Sequence, residues 1–346
     1  MTEVSAGGTG RAPGVPALPA GRTGRPARRP AVTASRQASR PACGRVLIVG
    51  WPSFLHGEAT AGDVLAMEAA RTALNGADFP CDLAWSPVFR PGGRALEDSP
   101  PEEYTHLVFI CGPAHGWQVE QLHERYRRCY RVAVGVSVID PADPAVTGFH
   151  QVLPRDAPGT AGRLDLAAAV PVPAVPVAAV ILASAQPEYA ARGQHVPLTQ
   201  ELGEWLATLD CARVVVDTRL AHGEWRSPAT AAQVEAVIAR ADVVVTTRLH
   251  GLVLALKNGV PPLAIDPVSD GAKVAAQAAA WGWPVLLPRS APPVLDRGEL
   301  DRLWAWCRSP QGRARAGSAP GTQNTPPLTV DLLSVLADAN LSADHG

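Results

Sequence analysis

The sequence lacks any apolar run close to the roughly 20 residues that a membrane-spanning helix requires. It also lacks a net charge of one sign, because 31 basic residues are balanced by 32 acidic ones. A near-neutral balance argues against a protein dedicated to nucleic acid or to an anionic membrane surface. We therefore expect no transmembrane segment and no nucleic-acid partner.

Cysteine is scarce, and its spacing excludes two kinds of site. There is no C-x-x-C pair and no regular spacing, so neither a disulfide framework nor a zinc site is predicted. The pattern is typical of reduced, mostly buried thiols in a cytoplasmic protein, and we expect no metal and no cofactor. The six residues are Cys43, Cys81, Cys111, Cys129, Cys211 and Cys307.

The common nucleotide-binding loops are also missing. No G-x-G-x-x-G or Walker A sequence follows a predicted strand, and Gly7–Gly10 precedes no helix. What the chain does have is length and apolar content: 346 residues with 47% hydrophobic side chains suffice for two cores.

Four regions are predicted from composition and periodicity. Residues 1–43 contain seven Arg, one acid, six Gly and six Pro, which is typical of a disordered basic tail. Residues 44–150 are expected to form an N-terminal domain and 151–308 a C-terminal domain, with Asp140–Pro176 as the crossing between them. Residues 309–346 are expected to be a loose linker followed by a C-terminal helix.

Short apolar strands alternate with helical segments in both predicted domains. This rhythm is typical of a parallel, doubly wound sheet covered on both faces. The fold class is therefore α/β, with two Rossmann-like domains facing a cleft. The predicted strands are Arg45–Gly50, Cys81–Ser86, Thr105–Cys111 and Val132–Ile139, then Val177–Ser184, Ala212–Asp217, Ala241–Thr247, Pro262–Asp266 and Pro284–Leu287.

The most informative stretch is Thr246–Gly251. It lies between a β-branched apolar run and a short predicted helix that begins at Gly251. In this geometry the free N–H groups and the positive dipole end of the helix point to the crevice above the sheet. Arg248 supplies a fixed cation and His250 a titratable imidazole, which together favour a small anionic ligand with a proton-transfer group beside it.

The stretch Arg248-Leu249-His250-Gly251, followed by Gly259 and Pro261, resembles the signature of the polysaccharide pyruvyl transferase family. Weaker matches over residues 45–308 are Gly62-Asp63, Arg155-Asp156 and Lys273. The resemblance implies two Rossmann-like domains in a GT-B-like arrangement. It also implies that Arg248 and His250 bind phosphoenolpyruvate.

Four further residues are candidates for substrate binding. Lys273, Arg219 and Arg226 follow predicted parallel strands, whose carboxyl ends share one edge of a sheet, so each is placed near Arg248. Asp63 is a candidate through the resemblance, although an acid three residues after Thr60 is also the pattern of a helix cap. The alternative for Lys273 is a solvated side chain, that for Gly251 is close backbone packing, and that for Arg248 is an ion pair with an interdomain carboxylate.

The predicted function is a transferase that moves the enolpyruvyl unit of phosphoenolpyruvate onto a sugar of a polysaccharide or glycolipid, forming a pyruvate ketal. Its expected partners are phosphoenolpyruvate and a sugar acceptor. Two alternatives stay open at this point. One is a glycosyltransferase of the same architecture that uses a nucleotide sugar, and the other is a non-catalytic relative that binds sugar.

Overall fold

The computed structural model describes residues 44–288, 295–318 and 327–343. The chain forms two compact units that divide between Pro171 and Val172. The basic tail predicted over residues 1–43 lies outside the described residues. Among the helices of the described ranges, none is long and apolar enough to cross a membrane.

The first unit contains a five-stranded sheet in which each pair of neighbours is parallel. The strands are β1 (Val46–Gly50), β2 (Cys81–Leu83), β3 (His106–Ile110), β4 (Tyr130–Val134) and β5 (Gln151–Leu153), in the order β2-β1-β3-β4-β5. Its helices are α1 (Ala61–Gly76), α2 (Trp117–Arg125) and α3 (Pro144–Thr147). The alternation predicted from the sequence is confirmed.

Both faces of this sheet are buried, as the continuous apolar sequence of β1 requires. Val46 and Ile48 pack in one cluster with Ala66 and Met67 of α1. Leu47 and Val49 belong to a second cluster that includes residues of α2 and α3. Successive side chains of a strand point to opposite faces, so one apolar strand supports two layers of helix.

The predicted domain boundary is corrected by the last strand of this sheet. β5 pairs with β4, with Gln151 opposite Val132, so residues 151–153 belong to the first unit. The segment predicted as an interdomain crossing contains α3 and β5 before the boundary at Pro171. The sequence does not predict β5, because the segment is rich in Pro and Gly and a strand of three residues is too short to show a periodicity.

The second unit repeats the parallel arrangement. Its strands are β6 (Val177–Ile181), β7 (Ala212–Val215), β8 (Val243–Thr246), β9 (Pro262–Ile265) and β10 (Val285–Leu286), in the order β10-β9-β8-β6-β7. Its helices are α4 (His195–Thr208), α5 (Ala231–Ile238), α6 (Leu249–Lys257), α7 (Lys273–Trp281), α8 (Arg297–Arg308), α9 (Pro310–Gly317) and α10 (Pro327–Ala343). α9 lies in a segment that the sequence predicts as loose linker.

The two sheets have the same strand order when the strands are numbered within each unit. The first strand in sequence lies between the second and the third, so the connections run in opposite directions from it. In the second unit this reversal falls between β6 and β8. Ligands of open α/β sheets bind outside the carboxyl ends of the strands at such a switch point. The predicted fold class of two Rossmann-like α/β domains is confirmed.

The cysteines of the described residues are free thiols, as the sequence predicts. They are Cys81, Cys111, Cys129, Cys211 and Cys307, and all but the first are buried. Cys43 lies outside the described residues.

Candidate functional site

A small pocket lies at the switch point of the second sheet. Its lining comes from three connections that leave carboxyl ends of parallel strands, and its volume is about 90 Å³. The lining residues are Ala183 and Gln186 after β6, Thr247, Arg248, Leu249 and His250 after β8, and Lys273 after β9. The structure thus brings four of the predicted site residues together: Arg248, Leu249, His250 and Lys273.

Two threonines fix the turn that carries Arg248. The Thr246 hydroxyl donates to the Ile181 carbonyl at 2.8 Å and accepts the N–H of Arg248 at 2.9 Å. The buried Thr247 hydroxyl accepts the N–H of Ala183 at 2.8 Å. These bonds tie the connection after β8 to the connection after β6, so the two sides of the pocket are held at a fixed spacing.

Gly251 lets the helix start directly against the strand. A Cβ added at this position would lie 2.1 Å from the Thr246 Oγ1 and 3.3 Å from the Ile181 Cγ2. Atoms in proteins do not approach this closely, so only glycine fits without a shift of the backbone. The packing interpretation of Gly251 is confirmed, and Gly251 is not among the residues that line the pocket.

The prediction that the signature helix begins at Gly251 is wrong. α6 begins at Leu249 with Arg248 as its N-cap residue, so His250 and Gly251 lie in the first helical turn. The sequence pattern places the start too late because the apolar run becomes continuous only after Gly251. The first N–H groups of a helix have no partner within it, so those of Leu249, His250 and Gly251 form the positive end of α6.

The Arg248 guanidinium is anchored by Asp217, which follows β7. Its Nη2 donates to the Asp217 Oδ2 at 3.2 Å, and its Nε lies 3.0 Å from the Oδ1. The Nε–H is buried and makes no hydrogen bond. Arg248 therefore pairs with a carboxylate, as its alternative interpretation proposes, but this carboxylate belongs to the same unit. The ion pair and the position in the pocket coexist, since Arg248 lines the pocket and also bonds to the half-exposed carboxylate of Asp217.

Lys273 is positioned by the turn after β9. The buried carboxylate of Asp266 accepts the N–H groups of Val268 at 3.0 Å, Ala272 at 2.7 Å and Ala275 at 2.8 Å. These bonds satisfy part of the N-terminus of α7 and fix its first residue, which is Lys273. The Lys273 Nζ lies 5.5 Å from the centre of the Tyr189 ring, within cation–π range.

The connection after β6 contributes residues that the sequence does not predict. Gln186 lines the pocket, and its Oε1 lies 3.3 Å from the Nε2 of the buried His195. Burial lowers the pKa of the His195 imidazole, and the positive charge of Lys273 lowers it further. The rule that parallel strands share one carboxyl edge would have pointed to this connection, since β6 neighbours β8.

Arg219 and Arg226 do not line this pocket. Both are exposed; the backbone N–H of Arg219 donates to Asp217 at 3.0 Å. Arg226 lies over the Trp225 ring at 4.4 Å and 3.9 Å from Glu224. The rule that parallel strands share one carboxyl edge predicts correctly where their loop begins. Residues 216–230 then carry both side chains away from the pocket.

Asp63 lies in the first unit, in the first turn of α1, whose N-cap residue is Thr60. The Thr60 hydroxyl accepts the N–H of Asp63 at 3.2 Å and donates to the Asp63 Oδ2 at 2.7 Å. The structural alternative for this residue is therefore confirmed. Substrate binding by Asp63 stays a prediction.

The pocket favours a small anion over a large ligand. Sites for drug-sized ligands measure roughly 300–1,000 Å³, whereas this pocket measures about 90 Å³. Two cationic side chains, an imidazole and the N-terminus of α6 surround it. Groups of this kind bind phosphate and carboxylate by charge-assisted hydrogen bonds.

A comparison with known protein families gives a match that covers the signature residues Arg248–Gly251. A family model described as polysaccharide pyruvyl transferase matches residues 226–269, which include Arg248, His250 and the strands β8 and β9. This match confirms the predicted resemblance over that region and indicates an enzyme of the transferase class. No curated protein sequence matches the chain at a significant level.

The solved structures that match the chain are remote in sequence and have low TM-scores. The spinosyn rhamnosyltransferase SpnG complexed with thymidine diphosphate is 13% identical, with 79% of this chain and 94% of that chain covered and a TM-score of 0.28. The E. coli heptosyltransferase WaaC with ADP is 16% identical, with 76% and 99% covered and a TM-score of 0.26. The UDP-GlcNAc 2-epimerase of Methanocaldococcus jannaschii is 9% identical, with 77% and 92% covered and a TM-score of 0.28.

Proposed function

We propose that this protein transfers the enolpyruvyl unit of phosphoenolpyruvate to a sugar of a polysaccharide or glycolipid, producing a pyruvate ketal and phosphate. The observation that carries the proposal is the convergence of Arg248, His250 and Lys273 on one small pocket at the end of α6. The family match at the same residues supports it.

The charges of the pocket suit a donor with two anionic groups. Phosphoenolpyruvate carries a phosphate and a carboxylate on a three-carbon unit, so its site needs two poles of positive charge or N–H donors. Arg248 and the first N–H groups of α6 form one pole, and Lys273 forms the other. The compact pocket matches this ligand better than a nucleotide sugar.

The chemistry begins with a proton transfer to carbon. Protonation of the methylene carbon places positive charge on the adjacent carbon, where a sugar hydroxyl attacks and loses its proton. The bond to the phosphate oxygen then breaks, and a second hydroxyl closes the ketal. Two hydroxyl protons are released in all; one balances the proton taken up by the methyl group and the other leaves with the phosphate.

Each side chain has a role in these reaction steps that follows from its chemistry. The exposed His250 imidazole lines the pocket and is the group proposed to deliver the first proton, because an imidazolium can act as a general acid. Arg248 is proposed to hold the phosphate and stabilise its charge as it departs. Because Asp217 fixes its orientation, the guanidinium needs little reorganisation on binding.

Two substitutions separate these roles. Arg248→Lys replaces a fork with a point charge, so the dissociation constant of phosphoenolpyruvate should rise while the melting temperature stays within a few degrees of wild type. His250→Gln should preserve most of the donor affinity and lower the rate of transfer by roughly 10²–10⁴-fold. Calorimetric titration with phosphoenolpyruvate and phosphate release in the presence of an acceptor glycan measure the two quantities.

The matched controls are Arg219→Lys and His222→Gln, which alter exposed side chains outside the pocket. Neither should change donor affinity or rate. If wild-type protein is stabilised by a uridine nucleotide but not by phosphoenolpyruvate, the proposal is wrong and a nucleotide-sugar transferase replaces it. If His250→Gln raises the dissociation constant without a loss of rate at saturation, His250 binds phosphate and another group is the acid.

A further inference from the structure

Gln186 lines the pocket, but the proposed reaction assigns it no role. It follows β6 and precedes a 3₁₀ turn at Pro187–Arg192, on the side of the switch point opposite Arg248. Its amide is a neutral polar group in a lining that also contains Arg248, His250, Lys273 and the buried Thr247. An amide offers one acceptor oxygen and two N–H donors, so its orientation decides what it presents to a ligand.

His195 fixes that orientation. Its Nε2 lies 3.3 Å from the Gln186 Oε1, and an amide oxygen only accepts, so the Nε2 carries the hydrogen and donates. In the described part of the chain the amide nitrogen of Gln186 has no hydrogen-bond partner. With its oxygen turned to His195, the amide therefore directs its two N–H groups away from the ring.

The imidazole itself has little freedom to move. His195 is 4% exposed and is the first residue of α4. The Tyr189 ring is stacked with it at a centroid distance of 6.4 Å, and a Cβ at Gly193 would approach its Nδ1 to 3.3 Å. Tyr189 also lies under Lys273, so the ring links His195 to the cationic pole of the pocket.

We propose that Gln186 is a ligand-binding residue that donates from its amide to the anionic group beside Lys273, and that His195 is a positioning residue that holds the amide in the donating orientation. This inference rests on the proposed function, because it completes the second pole of a two-anion site. The uncharged Gln186 amide adds a hydrogen bond to the anionic group without placing a further positive charge next to Lys273 and Arg248.

Affinity for phosphoenolpyruvate tests the binding role. Gln186→Ala should raise the dissociation constant roughly 10–100-fold, the range expected for a lost hydrogen bond to a charged group. The melting temperature should fall modestly, because the substitution also removes the Oε1 that accepts from the buried His195 Nε2, so binding is measured well below the unfolding transition. Gln200→Ala is the control, since this exposed amide bonds to Glu204 on α4. It should leave the dissociation constant unchanged.

A double-substitution cycle tests the positioning role. His195→Phe keeps an aromatic ring but removes the Nε2–H group that donates to Gln186. By itself it should therefore raise the dissociation constant of phosphoenolpyruvate. It should add nothing further in the presence of Gln186→Ala, because the amide that it positions is then absent. His195→Gln retains an N–H donor and should restore part of the affinity. Should His195→Phe fail to fold, the cycle is run with His195→Gln: its smaller loss of phosphoenolpyruvate affinity should likewise disappear in the presence of Gln186→Ala.

The outcomes distinguish the inference from the proposed function. If Arg248→Lys weakens phosphoenolpyruvate binding and Gln186→Ala does not, the role of Gln186 is refuted and the proposed function stands. If the effects of His195→Phe and Gln186→Ala simply add, the positioning role of His195 is refuted. If wild-type protein does not bind phosphoenolpyruvate at all, the inference falls together with the proposed function.

Discussion

Substitution of Gly251 by alanine tests the close contact between α6 and β8. Alanine normally stabilises the interior of a helix by roughly 0.5–1 kcal/mol relative to glycine. At Gly251 the new Cβ would lie 2.1 Å from the Thr246 Oγ1 and 2.9 Å from the Thr246 Cβ. Because Thr246 belongs to a buried strand, α6 must move away from the sheet to accept the methyl group.

The magnitude follows from what that movement breaks. Overpacking a core costs roughly 1–3 kcal/mol. The two hydrogen bonds of the Thr246 hydroxyl, to the Ile181 carbonyl and from the Arg248 N–H, contribute roughly 0.5–1.5 kcal/mol each. After the helical preference of alanine is subtracted, Gly251→Ala should destabilise the second unit by about 1–5 kcal/mol. For a unit of this size the melting temperature should fall by roughly 2–20 °C.

Thermal unfolding of purified variants, followed by calorimetry and far-UV circular dichroism, measures this effect. The control is Gly203→Ala in α4, where an added Cβ meets nothing within 4 Å. The same substitution should there raise the melting temperature by a few degrees. A Gly251→Ala variant that melts at or above the wild-type temperature would refute the close approach. Equal shifts for the two variants would show that helix propensity alone governs both.

Two further predictions concern pH and the basic tail. Burial lowers the pKa of His123 and of His195 below the value of about 6.5 found in unfolded chains, so the unfolded state binds more protons below that pH. The free energy of unfolding should therefore fall as the pH decreases from about 6.5, by up to about 1.4 kcal/mol per pH unit for each histidine. Urea denaturation at pH 7.5 and at pH 5.5 measures this change. Equal free energies of unfolding at the two pH values would contradict the prediction. A protein that starts at Gly44 should keep the melting temperature and donor affinity of the full chain, since the composition of residues 1–43 supports no packed core, and a large loss of either would show that the tail contributes.

Much of the fold was predictable because it depends on local patterns. The β-branched run before Thr246 and the apolar run at Val46–Gly50 identify buried strands, since a strand covered on both faces needs apolar residues at every position. β5 was missed because three residues carry no detectable period, and α9 because its Gly- and Arg-rich sequence has little apolar periodicity.

The candidate site was predictable where a motif carries it. The Arg-Leu-His-Gly stretch gave Arg248, Leu249 and His250, and the rule that parallel strands share one carboxyl edge added Lys273. The same rule was too coarse for Arg219 and Arg226, because it fixes where a loop begins and not where its side chains end. Nothing local distinguishes a loop arginine that turns to the pocket from one that turns to solvent.

The sequence by itself determined the class of fold and the residues of the signature turn, because both depend on side chains close together along the chain. The tertiary structure decided the contacts between distant segments. It paired Arg248 with Asp217 and brought Gln186 beside His250 and Lys273. The physical reason is the strand order: β6, β8 and β9 are neighbours in the sheet although long stretches of chain separate them, so their loops meet at one edge.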